Sequence, residues 1–148
     1  MRFITSDFNK ETGVSVVAIE HMGRTFYGIA QLHPEDKAFA STYTGCNYAE
    51  MRATIRALQW EKFLLTRQTK EWKNFLNACM SCKNFNKYSK SSKVMFRQYN
   101  RKVKRINDLK EEIADIKQEL HELIQERNKY IEKKKAEALE KAKEVNVL

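Results

Sequence analysis

The chain reads as an α+β protein: a small N-terminal antiparallel β-meander followed by a long C-terminal helical hairpin of coiled-coil type. Three observations predict this. From Arg2 to Leu32 apolar and polar residues tend to alternate, and β-branched and aromatic types are common, the period-2 signature of half-buried strands. The last 103 residues contain neither glycine nor proline, so nothing there breaks a helix. Apolar side chains in that part recur three and four apart, which gathers them on one helical face. Residues 1–46 are expected to form the sheet and 47–148 the hairpin, with helices over about 47–80 and 92–143, joined as one structural unit.

Three strands are expected, around Phe3-Ile4-Thr5, Val14 to Ile19 and Thr25 to Ala30. Asn9 to Gly13 and His21 to Arg24 separate them. Both connections are short and contain glycine, as hairpin turns require. His33-Pro34-Glu35-Asp36 then ends the pattern, because proline cannot donate to a ladder. Phe39 to Tyr43 reads as a short edge strand. Asn47-Tyr48-Ala49-Glu50 has the form of a capping box, with Asn47 accepting from an orphan backbone N–H and Glu50 reaching back.

The first helix places Met51, Ile55, Leu58, Leu65, Trp72, Leu76 and Cys79 on one face, with Lys62 and Thr69 filling the gaps. Ser81 to Ser92 is rich in Ser and Asn and reads as the hairpin turn, with Ser91 or Ser92 capping the second helix. That helix carries a seam of Phe96, Tyr99, Val103, Ile106, Leu109, Ile113, Ile116, Leu120, Leu123 and Tyr130, interrupted at Arg127. The step of three from Ile106 to Leu109 is a stammer in strict heptads. After Tyr130 the sequence is charged and helix-forming with little apolar surface, and is expected to project into solvent. About 45 residues of helix would extend roughly 65–70 Å, beyond reach of a small sheet. A second copy of the chain is the economical cover, so a homodimer or higher homo-oligomer is expected.

Composition narrows the function. With 148 residues the chain holds one compact core. No apolar run approaches the roughly 18 residues of a membrane span, and Met1 to Phe8 lacks the basic and apolar regions of a signal peptide. A cytoplasmic protein with no membrane partner is expected. Three cysteines, Cys46, Cys79 and Cys82, make no even-numbered framework and fit reduced thiols. Cys79 and Cys82 have half of a zinc-site spacing, but there is no second such pair and His21, His33 and His121 are scattered, so they are read as structural. His33 beside Glu35 and Asp36 is read as part of a turn. No phosphate loop, nucleophile elbow or zincin motif is present. Neither catalysis nor a cofactor or metal is therefore expected.

The net charge of +9 is localised. Between Trp72 and Asn107 lie ten basic residues (Lys73, Lys83, Lys87, Lys90, Lys93, Arg97, Arg101, Lys102, Lys104 and Arg105) and no acid. The other 112 residues carry 18 basic and 19 acidic side chains. A merely soluble helix mixes both signs, so this stretch points to an anionic partner. Aromatic rings interleave with it: they stack on bases, while arginine forks grip phosphates. Arg97, Arg101 and Arg105 are spaced by four, with Asn100 and Lys104 beside them; Arg52 and Arg56 are spaced likewise on the first helix. A nucleotide site is expected with Arg56, Arg97 or Arg101 on phosphates and Arg52, Lys104 and Arg105 in the same rows. Phe85, Tyr88 or Phe96 would lie against a base, and Asn100 or Asn107 on ribose hydroxyls.

Several segments resemble a known family. They are Thr12 to Val16, Gly23 to Asp36, Gly45, Ala49-Glu50-Met51-Arg52-Ala53 and Phe96 to Arg101, and together they look like the phage family of the first Thoeris anti-defence protein. The similarity runs over most of the chain. It implies an N-terminal antiparallel sheet, long C-terminal helices and assembly as dimers or larger oligomers. It also implies a sponge in the host cell cytoplasm that binds a cyclic ADP-ribose isomer without cutting it, so that a defence effector is not switched on. Some relatives also sequester small cyclic oligonucleotides at a separate site. The candidate residues above come from charge and aromatic placement rather than from this resemblance. Two alternatives remain. One is a basic coiled-coil protein that binds nucleic acid, and the other is a coiled-coil inhibitor of a defence complex.

Overall fold

The computed structural model describes residues 1–33 and 41–147. Three strands, β1 (Arg2–Asn9), β2 (Val14–His21) and β3 (Arg24–Gln31), form an antiparallel sheet in the order β1-β2-β3. Two helices follow, α1 (Thr42–Met80) and α2 (Lys90–Val147). The expected α+β architecture is what the chain adopts.

Each turn has a local cause. The Asn9 side-chain oxygen accepts from Glu11 and Thr12 N–H at 2.9 and 3.2 Å, and Gly13 N–H donates to the Asn9 carbonyl at 2.8 Å. This is the Asx geometry that asparagine favours. The second hairpin closes on two residues, since His21 pairs with Arg24. Met22 and Gly23 both have positive φ, 52° and 72°, as such a tight turn matched to strand twist demands. β1 carries an irregularity between Phe3 and Thr5, where Ile4 has no partner in the register.

α1 covers one face of the sheet. Val17, Ile19 and Ala30 pack with Ala49, Ala53 and Ala57, flanked by Phe26, Cys46 and Tyr48. Alanines every four residues remove the side-chain layer, so helix and sheet backbones lie close together. Gly28 is the consequence: a methyl there would overlap the Ala49 carbonyl oxygen. A different face of α1 packs on α2 through Ile55, Leu58, Leu109 and Ile113, with Leu65, Ile116 and Leu120 around them. The expected apolar face of α1 is inward, including Thr69, which is buried and donates to the Thr66 carbonyl at 2.9 Å.

Four expectations need correction. α1 begins at Thr42, with Ser41 as its N-cap accepting from Thr44 N–H at 3.2 Å. Gly45, Asn47 and Glu50 therefore lie inside the helix. Of the expected edge strand Phe39–Tyr43, residues 39 and 40 lie outside the described residues, and Thr42 and Tyr43 are helical. α2 starts at Lys90 and is capped by Ser89, whose hydroxyl accepts from Ser92 N–H at 3.2 Å. Its end at Val147 lies beyond the expected 143. Finally, Tyr130 is exposed while Ile131 is buried. Leu109, Leu120 and Ile131 are eleven apart, three turns at 3.67 residues, as in a helix that does not follow a strict seven-residue seam.

Candidate ligand cavity

Three parts of the chain converge at one end of the sheet. Phe8, Gly13, Ser15, Ala30 and Gln31 come from the strands and the first turn, with Leu32 and His33 just after β3. The start of α1 supplies Ser41, Thr44, Gly45, Tyr48 and Arg52, and α2 returns along the hairpin to add Ile124, Arg127, Asn128 and Ile131. Among the described residues these enclose a cavity of about 210 Å³. Small residues make the room. At Gly45 a methyl would collide with the Ser15 hydroxyl, so glycine lets this turn of α1 approach β2 without displacing that side chain.

The cavity is apolar at Phe8, Leu32, Ile124 and Ile131 and cationic at Arg52 and Arg127. Arg52 Nη1 donates to the Ile29 carbonyl at 2.7 Å, which uses one of the five guanidinium donors and fixes the orientation of the rest. Tyr48 donates its hydroxyl proton to the Leu123 carbonyl at 3.1 Å, tying α1 to α2. Burial pushes its phenol above the ordinary value; the nearby Arg127 and Arg52 cations oppose this and Glu126 adds to it. Tyr48 is therefore a neutral donor at physiological pH. Gln31, Asn128, Ser41 and Thr44 complete a polar rim. Two cations, neutral hydroxyls and amides, and an apolar wall suit a phosphorylated molecule with a flat ring system.

Of the residues expected at a site, Arg52 alone lines this cavity. Arg56 is exposed and donates to the Tyr27 carbonyl at 2.9 Å. The row of Arg52 and Arg56 thus serves β3: four helical residues rise about 6 Å and two strand residues about 6.6 Å, so both guanidiniums meet carbonyls of an edge strand. Arg105 is committed to Glu61, at 3.0 and 3.2 Å, and to Glu112 at 3.4 Å. Phe96 is half-buried. Arg97, Asn100, Arg101, Lys104 and Asn107 are exposed along α2. Phe85 and Tyr88 share an open depression at the hairpin tip with Met80, Lys83, Asn84, Asn86 and Lys87. The expected set is therefore dispersed, with Arg52 in the cavity, Arg56 at the β3 edge, Arg105 beside Glu61, Phe85 and Tyr88 at the tip, and the rest along α2.

Sequence reasoning missed Tyr48, Arg127, Asn128, Gln31 and His33 as lining residues. Arg127 had a signal, as the cation that interrupts an apolar seam. The others depend on the return of α2 and carry none.

A second polar centre ties three elements. Glu61 of α1 receives Arg105 of α2 and lies 2.7 Å from Nε2 of His21 at the end of β2. Burial raises the Glu61 carboxyl, but the hydrogen bonds and charges of Arg105 and His21 outweigh it and hold the group below its ordinary value. Hydrogen bonding to Glu61 in turn raises Arg105. Cys46, Cys79 and Cys82 are free thiols. Among the described residues no three His, Cys, Asp or Glu side chains converge to hold a metal ion, and no helix is long and apolar enough to cross a membrane. Comparison with protein-family profiles, characterised proteins and solved structures finds no match to this chain.

Proposed function

We propose that this chain is a phage anti-defence sponge that sequesters a cyclic ADP-ribose isomer, without cleaving it, in the cavity between sheet and helices. The observation that carries this reading is the pairing of Arg52 and Arg127 with an apolar wall and a neutral polar rim in one recess. The cations would take the diphosphate, Phe8, Leu32 or Ile131 the adenine, and Gln31, Asn128 or Tyr48 the ribose hydroxyls. Sequestration at nanomolar affinity needs about −12 kcal/mol, within reach of several charge-assisted bonds plus burial of a base. The resemblance of Gly23 to Asp36 and Ala49 to Ala53 to the Thoeris anti-defence family supports the same ligand class. Capture of the signal in the host cytoplasm would leave the defence effector unswitched.

A homo-oligomer is part of the proposal. The cavity of about 210 Å³ is smaller than the roughly 300–1,000 Å³ of most small-molecule sites, so a second copy would supply further wall. Exposed Phe63 and Phe75 on α1, and Tyr27 and Ile29 on the sheet, offer apolar surface for it.

Isothermal titration with cyclic ADP-ribose isomers, followed by mass spectrometry of ligand released on heating, tests the reading. Submicromolar binding and recovery of unaltered ligand are expected. Absence of heat at micromolar protein, or release of a changed product, overturns it.

A further inference from the structure

The acid-free basic stretch, with which the sequence first pointed to an anionic partner, lies elsewhere. It occupies the distal end of the hairpin. From Arg52 in the cavity to Met80 at the tip, α1 runs 28 residues, about 42 Å at 1.5 Å per residue. A ligand in the cavity leaves these cations uncompensated.

At that end the last turns of α1 and the first turns of α2 lie side by side, and both are acid-free. Glu71 is the last acid on α1 and is paired with Arg67; Asp108 is the first on α2. Of the ten cations between Trp72 and Asn107, Arg105 alone pairs with acids among the described residues. Lys102 donates to the neutral Gln68 amide at 3.2 Å. Lys93, Arg97 and Arg101 are exposed at steps of four, about 6 Å apart along one face of α2. Such a row repels itself by a few tenths of a kcal/mol per pair, and a chain of phosphates relieves it. The row leads to exposed rings. Tyr88 is 71% exposed at the turn, with Lys87 Nζ 5.1 Å from its centroid, and Phe85 shares its depression with the amides of Asn84 and Asn86.

We propose that the distal end of the helical hairpin is a second, independent site that binds single-stranded nucleic acid. Phosphates follow Lys93, Arg97 and Arg101, and a base stacks on Tyr88. Unstacked bases favour a single strand over a duplex, because an exposed ring at a turn offers a platform that a paired base cannot reach. An anionic membrane surface would meet the same cations together with exposed Met80 and Tyr88, and the vesicle arm of the test below separates it from a nucleic-acid strand.

Fluorescence anisotropy with a labelled single-stranded 20-mer tests this. Log affinity should fall linearly with log salt, with a slope of about −0.7 per phosphate contacted. Arg97→Gln with Arg101→Gln should flatten the slope by about 1.4. Tyr88→Ala should weaken binding about 5- to 150-fold with the slope kept. Both variants lie on the surface, and circular dichroism checks their fold. Arg127→Gln, in the cavity, should bind the strand as the parent does, and excess cyclic ADP-ribose should not displace it. Equal or tighter binding to a duplex, to polyglutamate or to phosphatidylserine vesicles overturns the proposal. So does strand binding that neither variant alters, or that salt does not weaken.

Discussion

Gly28 and Gly23 show two different reasons for glycine, and substitution separates them. At Gly28 a methyl meets the backbone of α1 at Ala49 and Ala53. A helix backbone cannot yield as a side-chain tip can, so Gly28→Ala should destabilise by about 3 kcal/mol, the upper part of the overpacking range. At Gly23 nothing lies within 4 Å, but φ is 72°. Gly23→Ala should cost about 1–2 kcal/mol, the left-handed penalty alone. Urea midpoints of the two variants check both values. Glu61 gives a pH-dependent counterpart. Its carboxyl is held below the ordinary value of 4.5, so the folded state favours the charged form. The stabilisation is present above about pH 4.5 and is lost as pH falls through the lowered folded value. Glu61→Gln should be less stable than the parent at pH 7 by roughly 1–2 kcal/mol, because the half-exposed Arg105 is partly resolvated. That difference should shrink at pH 3, measured by thermal melts at both pH values.

At the scale of elements, capping decides where the helices start, and neighbouring serines hid it. Ser89, Ser91 and Ser92 are equivalent as residue types. Ser89 caps because the Asn86 carbonyl accepts from the Ser92 hydroxyl at 2.7 Å, and Ser92 lies 2.8 Å from the Ser89 hydroxyl. Ser89→Ala should cost about 1 kcal/mol, and exposed Ser91→Ala less than about 0.5; thermal or urea unfolding of the pair checks this. The three strands and the α2-facing stripe of α1 were legible because each follows one period over several residues. The sheet-facing stripe was not, since Ala49, Ala53 and Ala57 are too small to register as an apolar face. Arg52 and Arg56 were legible as a row but not as a cover for the β3 edge, because a strand carbonyl leaves no mark in sequence. The place of Gly45 inside α1 was not legible, because its contact, the Ser15 hydroxyl, is thirty residues away along the chain.

The whole molecule brings together what no local window contains. Its cavity joins residues near 15, 30, 45 and 127, so the candidate site was legible only in Arg52 and in the interruption at Arg127. The same architecture leaves apolar surface uncovered. The sheet reaches α1 only as far as Trp60 and Glu61, which Arg24 and His21 contact from the β2–β3 turn, and the side that faces it continues through Leu64 and Phe75 beyond the strands. Phe63 stacks on Trp60 with centroids 5.6 Å apart and is still 54% exposed; Phe75 is 55% exposed beside Trp72. Phe63 and Phe75 lie about 18 Å apart along α1 and about 120° apart around it, two separate exposed apolar patches that a second copy would cover. Light scattering should therefore give at least twice the 17.5 kDa chain mass, and Phe63→Glu with Phe75→Glu should shift it to that of a single chain. Neither phenylalanine is buried, so the double variant should keep the helical circular dichroism of the parent. If the assembly walls the cavity, the dissociated variant should also bind the cyclic nucleotide more weakly while retaining strand binding at the hairpin tip. A parent that scatters as one chain, or a variant whose mass is unchanged, would remove the second copy from the account.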